Sequence, residues 1–257
     1  MPGRPPREEL RIGISSCLLG QAVRYDGGHK RNALVMGAFS RFMTFVPVCP
    51  EVEVGMPVPR PAIRLVRLGG EDRLVDPRHD LDHTAAMTRW AEARVRELEA
   101  LDLSGYLLKK GSPSCGMERV KVHAASGPGT RDGVGLFARV LMARLPLLPV
   151  EEEGRLEDPA LRESFVTRVF AYRRLRAALG PRWRLGDLVR LHASEKLLLL
   201  AHAPKAYAAL GRLVAGAKAL PRAEVAARYG EGFMAALKVR ATPGKHANVL
   251  QHMAGYF

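Results

Sequence analysis

Apolar residues follow two rhythms along the chain. In the first 150 residues, short compact apolar runs end in small or turn-forming residues. Leu10–Ser16 (LRIGISS), Thr44–Val48 (TFVPV), Gly105–Lys109 (GYLLK) and Leu147–Val150 each predict a strand, and Ile63–Leu68 with Arg73–Val75 flank Gly69-Gly70 as a hairpin would. Between them the spacing turns helical over Asn32–Phe42, Asp82–Leu101 and Gly133–Leu145, the second carrying an apolar stripe through Val95, Leu98 and Leu101. Strands alternating with helices predict an α/β domain: a mostly parallel sheet with flanking helices.

Glu151–Pro159 (EEEGRLEDP) is acidic and turn-rich, and beyond it the pattern is helical throughout. Ala160–Leu179, Leu185–Ala203, Ala206–Ala217 and Arg222–Val239 are the expected helices, with Pro204, Pro221 and Pro243 as breakers between them. The expected organisation is therefore an α/β domain over residues 1–152 and an all-α domain over 153–257.

With 47% apolar residues in 257, both domains have material for a core. No apolar run approaches the roughly 18 to 20 residues of a membrane span. The opening MPGRPPREEL has no apolar stretch behind it, so a soluble, cytoplasmic protein without membrane contact is expected. Charge changes the picture more. Residues 1–160 carry 23 Lys and Arg against 21 Asp and Glu, a net +2, whereas residues 161–257 carry 17 against 5, a net +12. That asymmetry favours a polyanionic partner for the helical domain over a merely solvated basic face.

The three cysteines, Cys17, Cys49 and Cys115, are an odd number and show no CxxC pair, which argues against a disulfide framework or a zinc ribbon. Each follows a strand-like run, where the carboxyl ends of an open α/β sheet form a ligand crevice. They are either separate core thiols or one metal site. Thiolates select zinc, copper(I) or iron–sulfur clusters, and a cubane cluster held by three cysteines leaves one iron open for a substrate atom. Glu51 lies two residues after Cys49, and Ser112 and Ser114 just before Cys115. These are either active-site groups or surface and turn residues. Arg24–Lys30 and Pro57–Pro61 read as polar loops.

The segments SSCLLGQAVRYDG, VCPEVEVGMPVPRP and LLKKGSPSCG resemble the bacterial thiouracil desulfidase family over residues 11 to about 150. The blocks GRLEDPALRESFVTRVFAYRR, LHASEKLLLLAHAPKAY and KHANVLQHMAGYF resemble the helical domain fused to some of its members. Together they resemble the two-domain desulfidases that act on 4-thiouridine in tRNA. In that family the last motif continues past Gly255-Tyr256-Phe257, so an incomplete final helix is expected. The resemblance implies a 4Fe–4S cluster with three cysteine ligands (Cys17, Cys49, Cys115) and one open iron. It implies Glu51 as the catalytic acidic residue, and a catalytic serine, Ser112 in preference to Ser114. It also implies non-redox, hydrolytic conversion of the thiocarbonyl to uridine with release of sulfide.

A tRNA partner accounts for the basic helical domain, with Arg173, Arg174, Arg176, Arg182, Arg184, Lys196, Lys238, Arg240 and Lys245 as candidate phosphate contacts. The target base would be flipped out to reach the site. His192, His202, His246 and His252 lack zinc-type spacing and are expected to pack or to meet RNA. The chain has no GxxxxGKS/T and no SGGxDS loop, so neither a nucleotide nor a nicotinamide cofactor is expected. Three other readings stand beside this one: a persulfide-based sulfur transferase, a non-enzymatic RNA-binding iron–sulfur sensor, and a desulfidase of free thiouracil whose helical domain serves assembly.

Overall fold

A computed structural model describes residues 10–124 and 127–254. The expectations about a leader and about the Gly255-Tyr256-Phe257 end concern residues outside that set. The chain divides into two compact units, Met1–Arg162 and Glu163–Phe257.

In chain order the first unit contains β1 (Leu10–Ser15), α1 (Ala33–Gly37), β2 (Met43–Val48), α2 (Pro50–Glu53), β3 (Arg64–Leu68), β4 (Glu71–Asp76), β5 (Leu81–Asp82), α3 (Thr84–Ala100), β6 (Gly105–Leu108), β7 (Val120–Ala124), β8 (Thr130–Gly133), α4 (Leu136–Arg144) and β9 (Val150–Glu152). Strands β2-β1-β6-β9 form a wholly parallel sheet in that order. Its register pairs Leu10 with Met43 and Ser15 with Val48, and sets Gly13 beside Tyr106. Helix α3 buries Met87, Ala91, Val95 and Leu98, one face at helical spacing. Trp90 of α3 and Tyr106 of β6 both meet the ring of Phe137 in α4, at 5.6 and 5.7 Å between centroids.

A second sheet, β5-β4-β3-β7-β8, is mixed. The hairpin expected around Gly69-Gly70 is its β3–β4 pair. Both glycines have positive φ, as a two-residue turn matched to strand twist requires. Strands β7 and β8 escape the apolar pattern, because Lys121, Arg131 and Asp132 interrupt it and one face is exposed. Their buried face joins Leu65, Leu74, Met87, Val120, Val122 and Leu136 in a separate core cluster.

The stretch Glu151–Pro159 is not simply a polar separator. Glu151 and Glu152 belong to β9 and are buried, and the fourth strand runs Val150–Glu152 rather than Leu147–Val150. Arg155 pairs with the Glu151 carboxylate, and that of Glu152 accepts the Met117 N–H.

The second unit holds the remainder of α5 (Pro159–Ala178), then α6 (Leu185–Ser194), α7 (Lys196–His202), α8 (Pro204–Ala215), α9 (Arg222–Lys238) and α10 (Pro243–Ala254). Its core includes Phe165, Val169, Leu188, Leu199, Leu210, Tyr229 and Phe233. The single helix expected over Leu185–Ala203 breaks at Glu195, whose buried carboxylate is paired with Arg174. Pro204 occupies the first turn of α8, where a missing N–H costs nothing, so it starts that helix as well as ending the previous one. Among the described residues no helix is long and apolar enough to cross a membrane.

A Cβ built on Gly13 would lie 2.2 Å from two ring carbons of the fully buried Tyr106. Gly13→Ala should therefore destabilise the α/β unit by about 1–3 kcal/mol, read as a lower urea midpoint at unchanged m-value. An unshifted midpoint would show that Tyr106 can move aside at no cost.

Candidate active site

Because β1, β2 and β6 run parallel, their carboxyl ends share one edge of the sheet. Cys17 lies two residues beyond β1 and Cys49 directly after β2. Cys115 sits in the loop that follows β6. All three line one cavity of about 320 Å³, together with Arg24, Lys30, Glu51, Arg60, Lys109, Lys110 and Ser112. The three are free thiols. Among the described residues no three His, Cys, Asp or Glu side chains draw together tightly enough for a single metal ion. The thiols instead stand around the wall of a cavity, an arrangement that suits a larger thiophilic group.

Local chemistry fixes each thiol. The Cys17 carbonyl accepts the N–H of Lys30 at 2.9 Å and that of Gly20 at 3.2 Å, closing the loop after β1. The Cys49 N–H donates to Glu53 Oε1 at 2.9 Å, and Pro50 starts α2 behind it. Ser112 Oγ accepts the N–H groups of Ser114 (3.2 Å) and Cys115 (3.1 Å), so the SPSC turn is self-bonded. Helix α4 then satisfies the turn's carbonyls. The N–H of Phe137 bonds the Ser114 carbonyl at 3.0 Å, and that of Leu136 bonds Pro113 at 3.2 Å. Gly135 permits this approach, since a Cβ there would lie 2.5 Å from the Ser114 carbonyl.

Burial opposes ionisation of all three thiols. It raises Cys17 to about 11 despite the nearby Lys109 ammonium, raises Cys49, and places Cys115 well above the ordinary thiol range. Such thiols become thiolates by binding a cationic centre that displaces their protons. The Tyr106 hydroxyl is fully buried, lies outside the cavity lining and has no hydrogen-bond partner among the described residues; burial holds its pKa well above the ordinary phenol range.

Glu51 has a partner for each carboxylate oxygen. Ser114 Oγ donates to Oε1 at 3.1 Å, and Arg60 bonds Oε2 through both Nε (3.1 Å) and Nη2. Ser114 is fully buried and outside the cavity lining, whereas Ser112 lines the cavity. The two serines thus occupy different positions: Ser114 steadies the carboxylate, and Ser112 faces the space.

Several groups at the site were legible only as loop residues. Arg60 stands in PVPRP, and Arg24 and Lys30 in the polar loop after Cys17. The three consecutive glutamates read as a linker. In the fold Glu153 pairs with Lys109 and accepts the Lys110 N–H at 2.7 Å. Glu152 accepts the Met117 N–H at 2.8 Å, and Arg155 bridges Glu151 and Glu118. These bonds hold both ends of the Cys115 loop. A run of acids directly after an apolar run, opposite Lys-Lys in another strand-end motif, was the available signal.

The basic residues of the helical unit are of two kinds. Arg174 is paired with the buried Glu195, Arg176 lies over the Tyr172 ring at 5.9 Å, and Lys245 Nζ donates to the His202 carbonyl. Arg173 and Lys196 are half-buried, while Arg182, Arg184, Lys238 and Arg240 are exposed. His192 stacks on Tyr207 at 4.7 Å and shares a 3.2 Å hydrogen bond with Tyr229 Oη, and His202 bonds the Val239 carbonyl. The side chains of His246 and His252 lie outside the described residues.

Comparison with known proteins bears on the α/β unit most directly. No curated protein matches the chain. A solved structure of a 4Fe-4S-dependent thiouracil desulfidase, TudS, is 35% identical over 60% of this chain and 98% of its own, at a TM-score of 0.48. The family model described as a protein of unknown function, DUF1722, matches residues 196–257 in the helical unit. The model described as 2-thiouracil desulfurase matches residues 12–153, more than half of the chain and all of the cavity-lining segments. By that match the chain belongs to the 2-thiouracil desulfurase family, enzymes of sulfur removal.

Proposed function

We propose that this enzyme hydrolyses the thiocarbonyl of 4-thiouridine in tRNA to uridine, without net redox change. The observation that carries the reading is the convergence of three thiols, a fixed carboxylate and a cavity-facing serine on one strand-end cavity. Cys17, Cys49 and Cys115 would hold a 4Fe–4S cluster. When bound, that group supplies a soft Lewis acid with an open position for the thiocarbonyl sulfur.

The chain's own residues do the rest. Glu51 accepts a proton from water as its oxygen bonds to the thiocarbonyl carbon. The C–S bond then breaks, the water oxygen becomes the new carbonyl, and sulfur departs as hydrosulfide. Protons and electrons balance without an external reductant. Ser112 Oγ already accepts two backbone N–H groups, so its own hydrogen is available to the base or the water in the cavity. Lys30 and Lys110 at the cavity, and the net +12 over residues 161–257, support a base presented on a phosphate chain. A free thiouracil base is the second reading. It is favoured by the confinement of every cavity-lining residue to the first unit and by the family's description.

Anaerobically prepared protein should contain about four irons per chain, and Cys17→Ala, Cys49→Ala and Cys115→Ala should each lose them. Stoichiometric zinc in place of iron would overturn the cluster assignment. Glu51→Gln should keep the iron and lose about 10²- to 10⁴-fold in turnover. Ser112→Ala should also reduce turnover on the iron-loaded protein, and normal turnover there would leave Ser112 a turn residue only.

Nucleoside mass spectrometry of thiolated tRNA and of free 4-thiouracil, run in parallel, separates the two substrate readings. For the tRNA reading, affinity should fall steeply with salt, each phosphate contact adding roughly 0.7 to 0.9 to the log–log slope. Joint reversal of the exposed Arg182, Arg184, Lys238 and Arg240 to Glu should flatten that slope and raise KM for tRNA, with turnover of free base unchanged. Equal turnover of tRNA by wild type and this variant would sink the helical unit's role in binding.

A further inference from the structure

We infer that Arg60 is the positioning residue of the reaction, holding the Glu51 carboxylate in the one orientation from which it can take a proton. The inference rests on the reading of Glu51 given above and adds a residue to it.

Arg60 is 8% exposed, and its guanidinium is engaged on each nitrogen. Nε and Nη2 bond Glu51 Oε2, Nη1 donates to the Pro57 carbonyl at 3.1 Å, and Nη2 donates to the Val23 carbonyl at 2.9 Å. Its backbone N–H bonds the Tyr25 carbonyl at 2.8 Å. One side chain thus joins three cavity-lining segments: the loop after Cys17, the turn after Cys49 and the PVPRP loop. The Val23 carbonyl it holds also lies 3.9 Å from Cys49 Sγ.

A buried guanidinium is tolerated when paired and fully hydrogen-bonded. Here Glu51 forms the ion pair with it. Two donors of the planar fork converge on Oε2 and anchor that oxygen, which a point charge would do less directionally, and Ser114 Oγ on Oε1 then sets the carboxylate plane. With Oε2 occupied by Arg60, Oε1 is the oxygen left with a single hydroxyl partner, Ser114. The geometry therefore assigns Oε1 to the proton and Oε2 to the clamp. Misplacing a reacting group by about 1 Å can cost 10²-fold in rate, and Lys at position 60 would keep the charge while losing the fork.

The test uses the full-length, iron-loaded protein and a double-mutant cycle. Arg60→Lys should lower kcat by about 10²-fold, with KM changed less than about twofold and iron per chain equal to wild type. In the Glu51→Gln background, Arg60→Lys should cost almost nothing further, since the group it positions is gone. Costs that multiply in the double variant, or wild-type kcat in Arg60→Lys, would overturn the assignment. If Arg60→Lys fails to fold, Arg60→Gln decides by the same ratio, because its amide can still reach a backbone carbonyl but cannot form the ion pair. Near-normal turnover in Glu51→Gln alone would instead overturn the reading of Glu51, a separate result.

Discussion

Parallel pairing of β1 with both β2 and β6 is the constraint on which the site depends. Parallel strands put all their carboxyl ends on one edge, so three residues separated by dozens of positions meet there without any local sequence relation. The register is held by complete burial. Ile12 and Ile14 of β1 are fully buried, and a one-residue slip would turn those side chains to the other face. The same packing makes Gly13 give way to the Tyr106 ring, which carries contact onward to Phe137 and α4. Helix α4 in turn receives the carbonyls of the Cys115 turn at its first N–H groups. Core, helix start and third thiol are one continuous structure.

Around that edge, polar groups are satisfied pairwise. Glu51 is clamped by Arg60, Lys109 by Glu153, and Arg155 by Glu151 and Glu118. In a half-buried setting each unmatched charge would be costly, so these pairs define where the loops lie more than they add to stability. Among the described residues, the cavity-lining cations outside such pairs are Lys30 and Lys110, both exposed.

The helical unit separates charge that builds from charge that faces outward. Arg174 and Glu195 form a pair whose acid is buried at the break between α6 and α7, and Lys245 ties α10 to α7 through the His202 carbonyl. Net charge alone does not distinguish these from Arg182, Arg184, Lys238 and Arg240. The histidines follow the same division, since His192 lies between Tyr207 and Tyr229 and burial depresses its pKa.

By itself the sequence determined the alternation of strand and helix in the first half, the hairpin at Gly69-Gly70, the helical second half and the strand-end placement of the cysteines. All of these are written in local periodicity and turn chemistry, which act over a few residues. The motifs also carried the family resemblance, because SSCLLG, CPEVEVG and GSPSCG keep their chemistry within short windows. Tertiary structure alone decided the rest. It made Glu151 and Glu152 a buried strand that brackets the Cys115 loop, divided α6 from α7 at Glu195, and sent β7 and β8 into a second sheet despite their charges. It also separated Ser112 from Ser114 and gave Arg60 its partner nine residues away. Each of these depends on which polar group finds a partner once the chain is packed, and partners brought together by a parallel sheet leave no period in the sequence.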